Sequence, residues 1–100
     1  MILRMWRGVV PTERASAYAD LVRRTGIAGY RETVGNLDAQ VAVRGLAQGR
    51  SEILSLSWWT DLDDIRAFAG ADAELVRYYP EDDAVLLDRD LRARHYDVGR

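Results

Sequence analysis

The stretch from Ile53 to Gly70, ILSLSWWTDLDDIRAFAG, constrains the fold more than any other part of this sequence. Its apolar side chains first recur at every second residue, as in a strand, and then at helical spacing. Asp61 stands where a helix N-cap is expected, and Asp64 three residues later completes a capping-box-like pair. The stretch therefore predicts a strand over residues 51–60 and a helix from Asp61 to Gly70.

The N-terminal part predicts another strand and helix. Residues 2–10 alternate with apolar side chains on both faces, and Pro11 ends this strand. Thr12 is the expected N-cap of the helix that follows, and Gly26 is the residue expected to end it.

The segments between and after these units are shorter. Strands are expected at residues 28–34 and at Gln40–Gln48, separated by a Gly35-Asn36 turn, so that with residues 51–60 they form an antiparallel meander. Three further elements are expected towards the C-terminus: a helical piece from Asp72 to Pro80, a helical turn or short strand at Val85–Leu87, and a last strand at Leu91–Val98.

This order of elements predicts one α+β domain over residues 1–100, with a ferredoxin-like antiparallel sheet and helices on one face. The other sheet face would then expose Leu, Val and Trp side chains, which is more apolar area than a monomer normally shows. We therefore expect a second copy to pack sheet against sheet, as an isologous homodimer.

The composition argues against several classes of function. The formal net charge of −2 gives no electrostatic case for a nucleic-acid or anionic-membrane partner. The absence of cysteine excludes disulfides, thiolate metal sites and a cysteine nucleophile. The sequence begins with no signal-peptide pattern and has no apolar run long enough for a membrane span, so we expect a cytoplasmic protein.

No metal site is expected, because one histidine and no cysteine leave only carboxylates as ligands. The acidic pairs and runs Asp63-Asp64 and Glu81-Asp82-Asp83 are interpreted as solvated faces.

A few residues have both a structural and a functional interpretation. Trp58 and Trp59 should point to opposite faces, either as two packing anchors or with one as a stacking wall for a planar ligand. His95, the only histidine, is either a general base or a hydrogen-bonded strand residue. The strand arginines Arg4, Arg7, Arg44, Arg92 and Arg94 should pair with Asp88, Asp90, Glu32 or Asp97, unless Arg4 or Arg44 binds an oxygen atom in a pocket.

The segments SLSWWTDLDDIRAFAG, YYPEDD and HYDV together resemble the antibiotic biosynthesis monooxygenase-like family of the dimeric α+β barrel superfamily. The resemblance covers essentially the whole chain and is strongest over residues 55–98. The first strand lacks the asparagine that haem-degrading members place there, so the pattern of those members is incomplete.

The resemblance implies a homodimer that forms a dimeric α+β barrel, with a pocket between the sheet and helices of each protomer. It also implies a monooxygenase that uses no cofactor and acts on a small aromatic or polycyclic, quinol-like substrate. The alternative is a non-catalytic ligand-binding or regulatory homodimer of the same fold. The expected catalytic residue is His95, and the expected substrate-binding residues are Trp59, Trp6, Arg4, Phe68 and Tyr79.

Overall fold

The computed structural model describes residues 1–76 and 80–99. Five strands form one antiparallel sheet: β1 Ile2–Pro11, β2 Asn36–Gly45, β3 Arg50–Trp59, β4 Asp88–Arg89 and β5 Arg94–Asp97. Their order is β2-β3-β1-β4, and β5 also pairs with β1, so the two short strands share one edge of β1. The predicted ferredoxin-like antiparallel sheet with accompanying helices is therefore confirmed.

The first helix is longer than predicted and changes its winding. A 3-10 turn, Thr12–Arg14, leads into α1, Ala15–Val22, which continues through a π-helical segment, Arg23–Ile27, into α2, Ala28–Arg31. Gly26 therefore does not end the helix, and the predicted strand at 28–34 is wrong. The buried residues Val22 and Ile27 lie five positions apart, a spacing that a π turn accommodates and a regular α-helix does not.

The predicted three-strand meander is instead a two-strand hairpin. Strand β2 begins at Asn36 and pairs along its whole length with β3, with one irregularity near Asp38. Gly35 links α2 to β2 with a φ of 94°, and a Cβ atom there would collide with Asp64. The Gly35-Asn36 pair therefore joins a helix to a strand, rather than two strands as predicted.

Two further helices follow the hairpin: α3, Leu62–Ala69, and α4, Pro80–Val85. Asp61 caps α3 as predicted, since its carboxylate accepts a hydrogen bond from the backbone N–H of Asp64 at 3.1 Å. Gly70 ends the helix with a φ of 98°. Thr12 does not cap the first helix, because its hydroxyl is hydrogen-bonded to that of Ser51 at 2.9 Å.

The region after Gly70 differs from the prediction in three places. Asp72 accepts a hydrogen bond from the Glu74 N–H within a turn, not at the start of a helix. Pro80 begins α4 rather than ending a helix, which suits a residue without an N–H donor. The last strand is shorter than Leu91–Val98.

The helices pack on the sheet face that carries alternate residues of β1 and β3. Trp59, Ile53 and Val10 on this face are fully buried and belong to one hydrophobic core with Ile65 of α3. The intervening residues Leu3, Met5, Leu54, Leu56 and Trp58 point to the opposite face and are only partly buried. None of the described helices is long and apolar enough to cross a membrane.

Candidate functional site

A pocket opens between the helices and the core face of the sheet. Its cavity volume is about 50 Å³. Trp6, Tyr30 and Phe68 supply aromatic walls, and Tyr18, Ser55 and Asp82 supply polar groups. We call this space the aromatic pocket; its other lining residues are Val22, Thr25, Gly26 and Val76.

The π-helical segment shapes part of the pocket wall. Thr25 and Gly26 of this segment line the space, and the Thr25 hydroxyl donates a 2.8 Å hydrogen bond to the carbonyl of Leu21. A Cβ atom on Gly26 would have no neighbouring atom within 4 Å. Irregular helical winding of this kind is frequent at functional sites, and here it leaves open space beside a glycine.

Asp82 and Tyr18 form a buried polar pair in the aromatic pocket. The Tyr18 hydroxyl donates a hydrogen bond of 2.9 Å to Oδ1 of Asp82, and the two residues are 3 % and 6 % exposed. The interpretation of Asp82 as part of a solvated face is therefore wrong. Asp83 does face solvent, where it pairs with Arg89 at 2.8 Å.

The spacing of apolar residues after Asp82 indicates that Asp82 is buried, although its acidic neighbours suggest an exposed position. Val85 and Leu86 follow it at positions i+3 and i+4, and both pack against the hydrophobic core. This spacing puts Asp82 on the inward face of a short helix even though its neighbours are acidic. Nothing in the sequence indicated that Tyr18 would be its hydrogen-bond donor.

Arg4 lies behind the pocket wall and is almost completely buried, at 2 % exposure. Its guanidinium donates to the carbonyl oxygens of Ala73 and Leu75, with 2.8 Å to the latter, and to the Tyr30 hydroxyl at 3.1 Å. None of the ion pairs among the described residues involves Arg4. The predicted carboxylate partner is thus replaced by neutral oxygen atoms.

The other strand arginines do form ion pairs. Arg94 pairs with Asp90, and Arg7 pairs with Asp88, as predicted. Glu52 is a partner that the sequence did not indicate: it binds both Arg7 and Arg44, and these two contacts hold its pKa below the ordinary value. Arg92 pairs with the carboxylates of Asp72 and Glu74.

His95 lies opposite Arg4 in the pairing of β1 with β5, on the helix-covered side of the sheet. Its Nε2 atom is 2.9 Å from a guanidinium nitrogen of Arg4, which can only donate, so Nε2 accepts and the ring proton belongs on Nδ1. Burial, followed by the charge of Arg4, lowers the pKa of His95, while Glu74 opposes this effect. The imidazole is not among the side chains that line the aromatic pocket.

This arrangement makes stability depend on the protonation of His95. Because the pKa of His95 is lowered in the folded state, the unfolded chain takes up a proton first as pH falls below about 6.5. We expect the free energy of unfolding to be flat above that pH and to decrease below it. His95→Gln keeps an acceptor for Arg4 but cannot be protonated, so it should lose less stability between about pH 6.5 and about pH 5. Urea denaturation at both pH values measures the difference, and equal losses in the two proteins would contradict the assignment.

The aromatic residues connect the pocket to the core. The ring centroids of Tyr30 and Phe68 are 4.6 Å apart. The ring of Trp59 meets that of Tyr30 edge to face, with 5.6 Å between the centroids. Trp59 is fully buried and donates a 2.8 Å hydrogen bond to the Ser57 hydroxyl. It thus supports Tyr30 from behind and is not itself a lining residue.

The predicted site residues are therefore divided between two layers. Trp6 and Phe68 line the aromatic pocket, whereas Trp59, Arg4 and His95 lie behind its wall. Tyr79 falls outside the described residues. Within residues 1–76 and 80–99, no three His, Asp or Glu side chains come together as ligands for a metal ion.

No protein-family model and no curated protein matches the sequence. Among solved structures, the chain is similar to a Bacillus cereus protein described as a "putative antibiotic biosynthesis monooxygenase". The match has a TM-score of 0.65 and covers 96 % of this chain and 89 % of that one, at 20 % sequence identity. The two proteins share one fold. The resemblance predicted from the residues is thus confirmed at the level of the fold, and the oxygenase activity is part of the Bacillus protein's description.

Proposed function

We propose that this chain is a monooxygenase that needs no cofactor and acts on a small aromatic, quinol-like substrate bound in the aromatic pocket. The observation that carries the proposal is the combination of three aromatic walls, Trp6, Tyr30 and Phe68, with a buried carboxylate at the same space. Flat rings stack favourably on such walls, and a few polar groups fix the orientation of a ligand in an apolar pocket. The shared fold with a protein described as a monooxygenase supports the same activity.

In the proposed reaction the substrate is the only reductant. For an activated CH2 group flanked by aromatic rings, one oxygen atom of O2 becomes the new carbonyl oxygen and the other leaves as water. The two hydrogen atoms of the CH2 group end in that water molecule, so atoms and electrons balance without another reactant. The protein has to bind the ring, orient it and accept a proton so that electron density reaches O2.

The residue that the sequence indicates as the acceptor of this substrate proton is His95. Because Nε2 of His95 accepts a hydrogen bond from Arg4, it can take a substrate proton only after that contact breaks. His95→Ala tests the role directly: loss of oxygen uptake with a retained fold would support His95 as the base.

The open side of Gly26 provides a test of the pocket itself. Gly26→Leu places a side chain in space that is empty at the pocket wall, so we expect substrate-dependent oxygen uptake to fall about tenfold or more. Oxygen electrode measurements with a panel of hydroquinones and anthrones give the rate. Gly45→Leu is the matched control, because Gly45 also has open space around it but lies at the exposed end of β2.

The outcomes separate the two candidate functions. If wild-type protein gives no uptake above the rate without protein, the oxygenase proposal is wrong. Ligand binding that quenches tryptophan fluorescence without product would then favour the non-catalytic, ligand-binding homodimer.

We also propose that the active species is a homodimer that packs through the sheet face opposite the helices. Leu54, Leu56 and Trp58 on that face are only partly buried, although they alternate with the buried residues of β3. A second copy would remove this apolar area from water.

A further inference from the structure

We infer that Asp82, oriented by Tyr18, is the group that accepts the hydroxyl proton of an aromatic ligand in the aromatic pocket. The inference rests on the proposed function, because it assumes that an aromatic ring occupies this space. It assigns proton acceptance to a residue other than His95, and it requires an aromatic ligand that carries a hydroxyl group.

The position of Asp82 supports this role. It lines the pocket at 6 % exposure, and it carries the only formal charge among the described lining residues. The hydrogen bond from the Tyr18 hydroxyl to Oδ1 holds the carboxyl group at the pocket surface. Water reaches this carboxylate poorly. A hydrogen-bond donor in a ligand therefore stabilises it more than the same donor would stabilise an exposed carboxylate.

The acceptor character of Asp82 restricts the ligand. A carboxylate has no proton to donate, so it recognises an O–H group and forms no hydrogen bond with a ring that lacks a donor. The pocket therefore favours hydroxyarenes over aromatic compounds of the same shape without a hydroxyl group.

The proton step needs no further reactant. The O–H bond of the ligand breaks, its electron pair stays on the aromatic oxygen, and the proton moves to a carboxylate oxygen of Asp82. The electron-rich ring is then the species that reduces O2 in the proposed reaction. Tyr18 acts as a positioning residue, since its own proton already lies on the bond to Oδ1.

Binding of matched ligands tests the inference without relying on turnover. Phenol and its methyl ether, anisole, have the same ring, but only phenol can donate a hydrogen bond. We expect wild-type protein to bind phenol about tenfold more tightly than anisole by calorimetry, as a hydrogen bond to a charged acceptor predicts. In Asp82→Asn this preference should fall to about threefold or less.

Asp83→Asn is the matched control. This neighbour is exposed and paired with Arg89, so the preference for phenol over anisole should stay unchanged.

The possible results lead to different conclusions. An unchanged phenol preference in Asp82→Asn, with anisole still bound, would overturn the role of Asp82 and leave the pocket assignment intact. If neither ligand binds to wild-type protein, the proposed function fails and the inference fails with it. Should Asp82→Asn not fold, Tyr18→Phe serves in its place: a reduced phenol preference supports the inference, and an unchanged one counts against it.

Discussion

Replacing Arg4 with alanine is expected to destabilise the protein by about 3 kcal/mol. The substitution removes the donors for two backbone carbonyls, of Ala73 and Leu75, and for the Tyr30 hydroxyl, and all three acceptors lie against a buried side chain. It also leaves a cavity between β1 and the segment that runs from Ala73 to Val76. The free energy of unfolding, measured by urea denaturation, is the quantity to compare.

Two further variants separate the causes of this loss. Arg4→Met keeps most of the volume but none of the donors, so it should remain destabilised by about 2 kcal/mol if the hydrogen bonds matter most. Arg66→Ala is the matched control, because Arg66 is exposed and pairs only with exposed Asp63; it should cost about 0.5 kcal/mol or less. An Arg4→Ala variant as stable as Arg66→Ala would show that the buried guanidinium does not hold this segment.

Arg4 also supports the aromatic pocket, because the groups that it binds belong to or adjoin the pocket wall. Tyr30 and Val76 line the pocket, and Arg4 binds the hydroxyl of the former and the backbone next to the latter. His95 adds a fourth acceptor from β5. Loss of Arg4 should therefore loosen two pocket walls together, even though Arg4 is not a lining residue.

The strand and capped helix around Trp59 could be predicted because their signals are local. Alternation along β3 decides which side chains enter the core, and Asp61 and Gly70 fix the two ends of α3 through their own backbone and side-chain chemistry. The opposite orientation of Trp58 and Trp59 follows from the same alternation. Each of these predictions depends on residues that are close in sequence.

The incorrect predictions concern features decided by distant contacts. Gly26 is a common helix terminator, but burial of Ile27 and Tyr30 against the sheet keeps the chain helical through a π turn. Asp82 has acidic neighbours, yet the position of Tyr18, 64 residues earlier, makes it a buried hydrogen-bond acceptor. Tertiary packing overrides local propensity in both cases.

The composition of the candidate site also depends on contacts between residues that are distant in sequence. The sequence singled out aromatic residues and the only histidine as candidates, but it could not indicate which of them share a surface. Trp6 lines the pocket and Trp59 does not, although both lie on the core face of the sheet. Tyr30, which lines the pocket, packs edge to face against Trp59 and so lies between Trp59 and the pocket.

An arginine in the middle of the open sheet face should convert the proposed dimer into a monomer. Leu56 lies between Met5 of β1 and Gln40 of β2, with Leu54 and Trp58 two residues to either side along β3. Leu56→Arg would bury an unpaired charge at a sheet-to-sheet contact, so we expect the dissociation constant to rise by about 100-fold or more. Analytical ultracentrifugation at micromolar concentration measures the change.

The control for this variant is an equally large change outside the proposed contact. Val34, which lies between α2 and β2, is 88 % exposed, so Val34→Arg should leave the association unchanged. A wild-type protein that sediments as a monomer would contradict the dimer at once. If Leu56→Arg remains dimeric, the two copies meet through another surface, and the partly buried leucines of β3 need a different explanation. The sheet face is the better candidate because Glu52, with Arg7 and Arg44, places an ion-pair cluster at one end of it, where a polar rim would enclose the apolar centre.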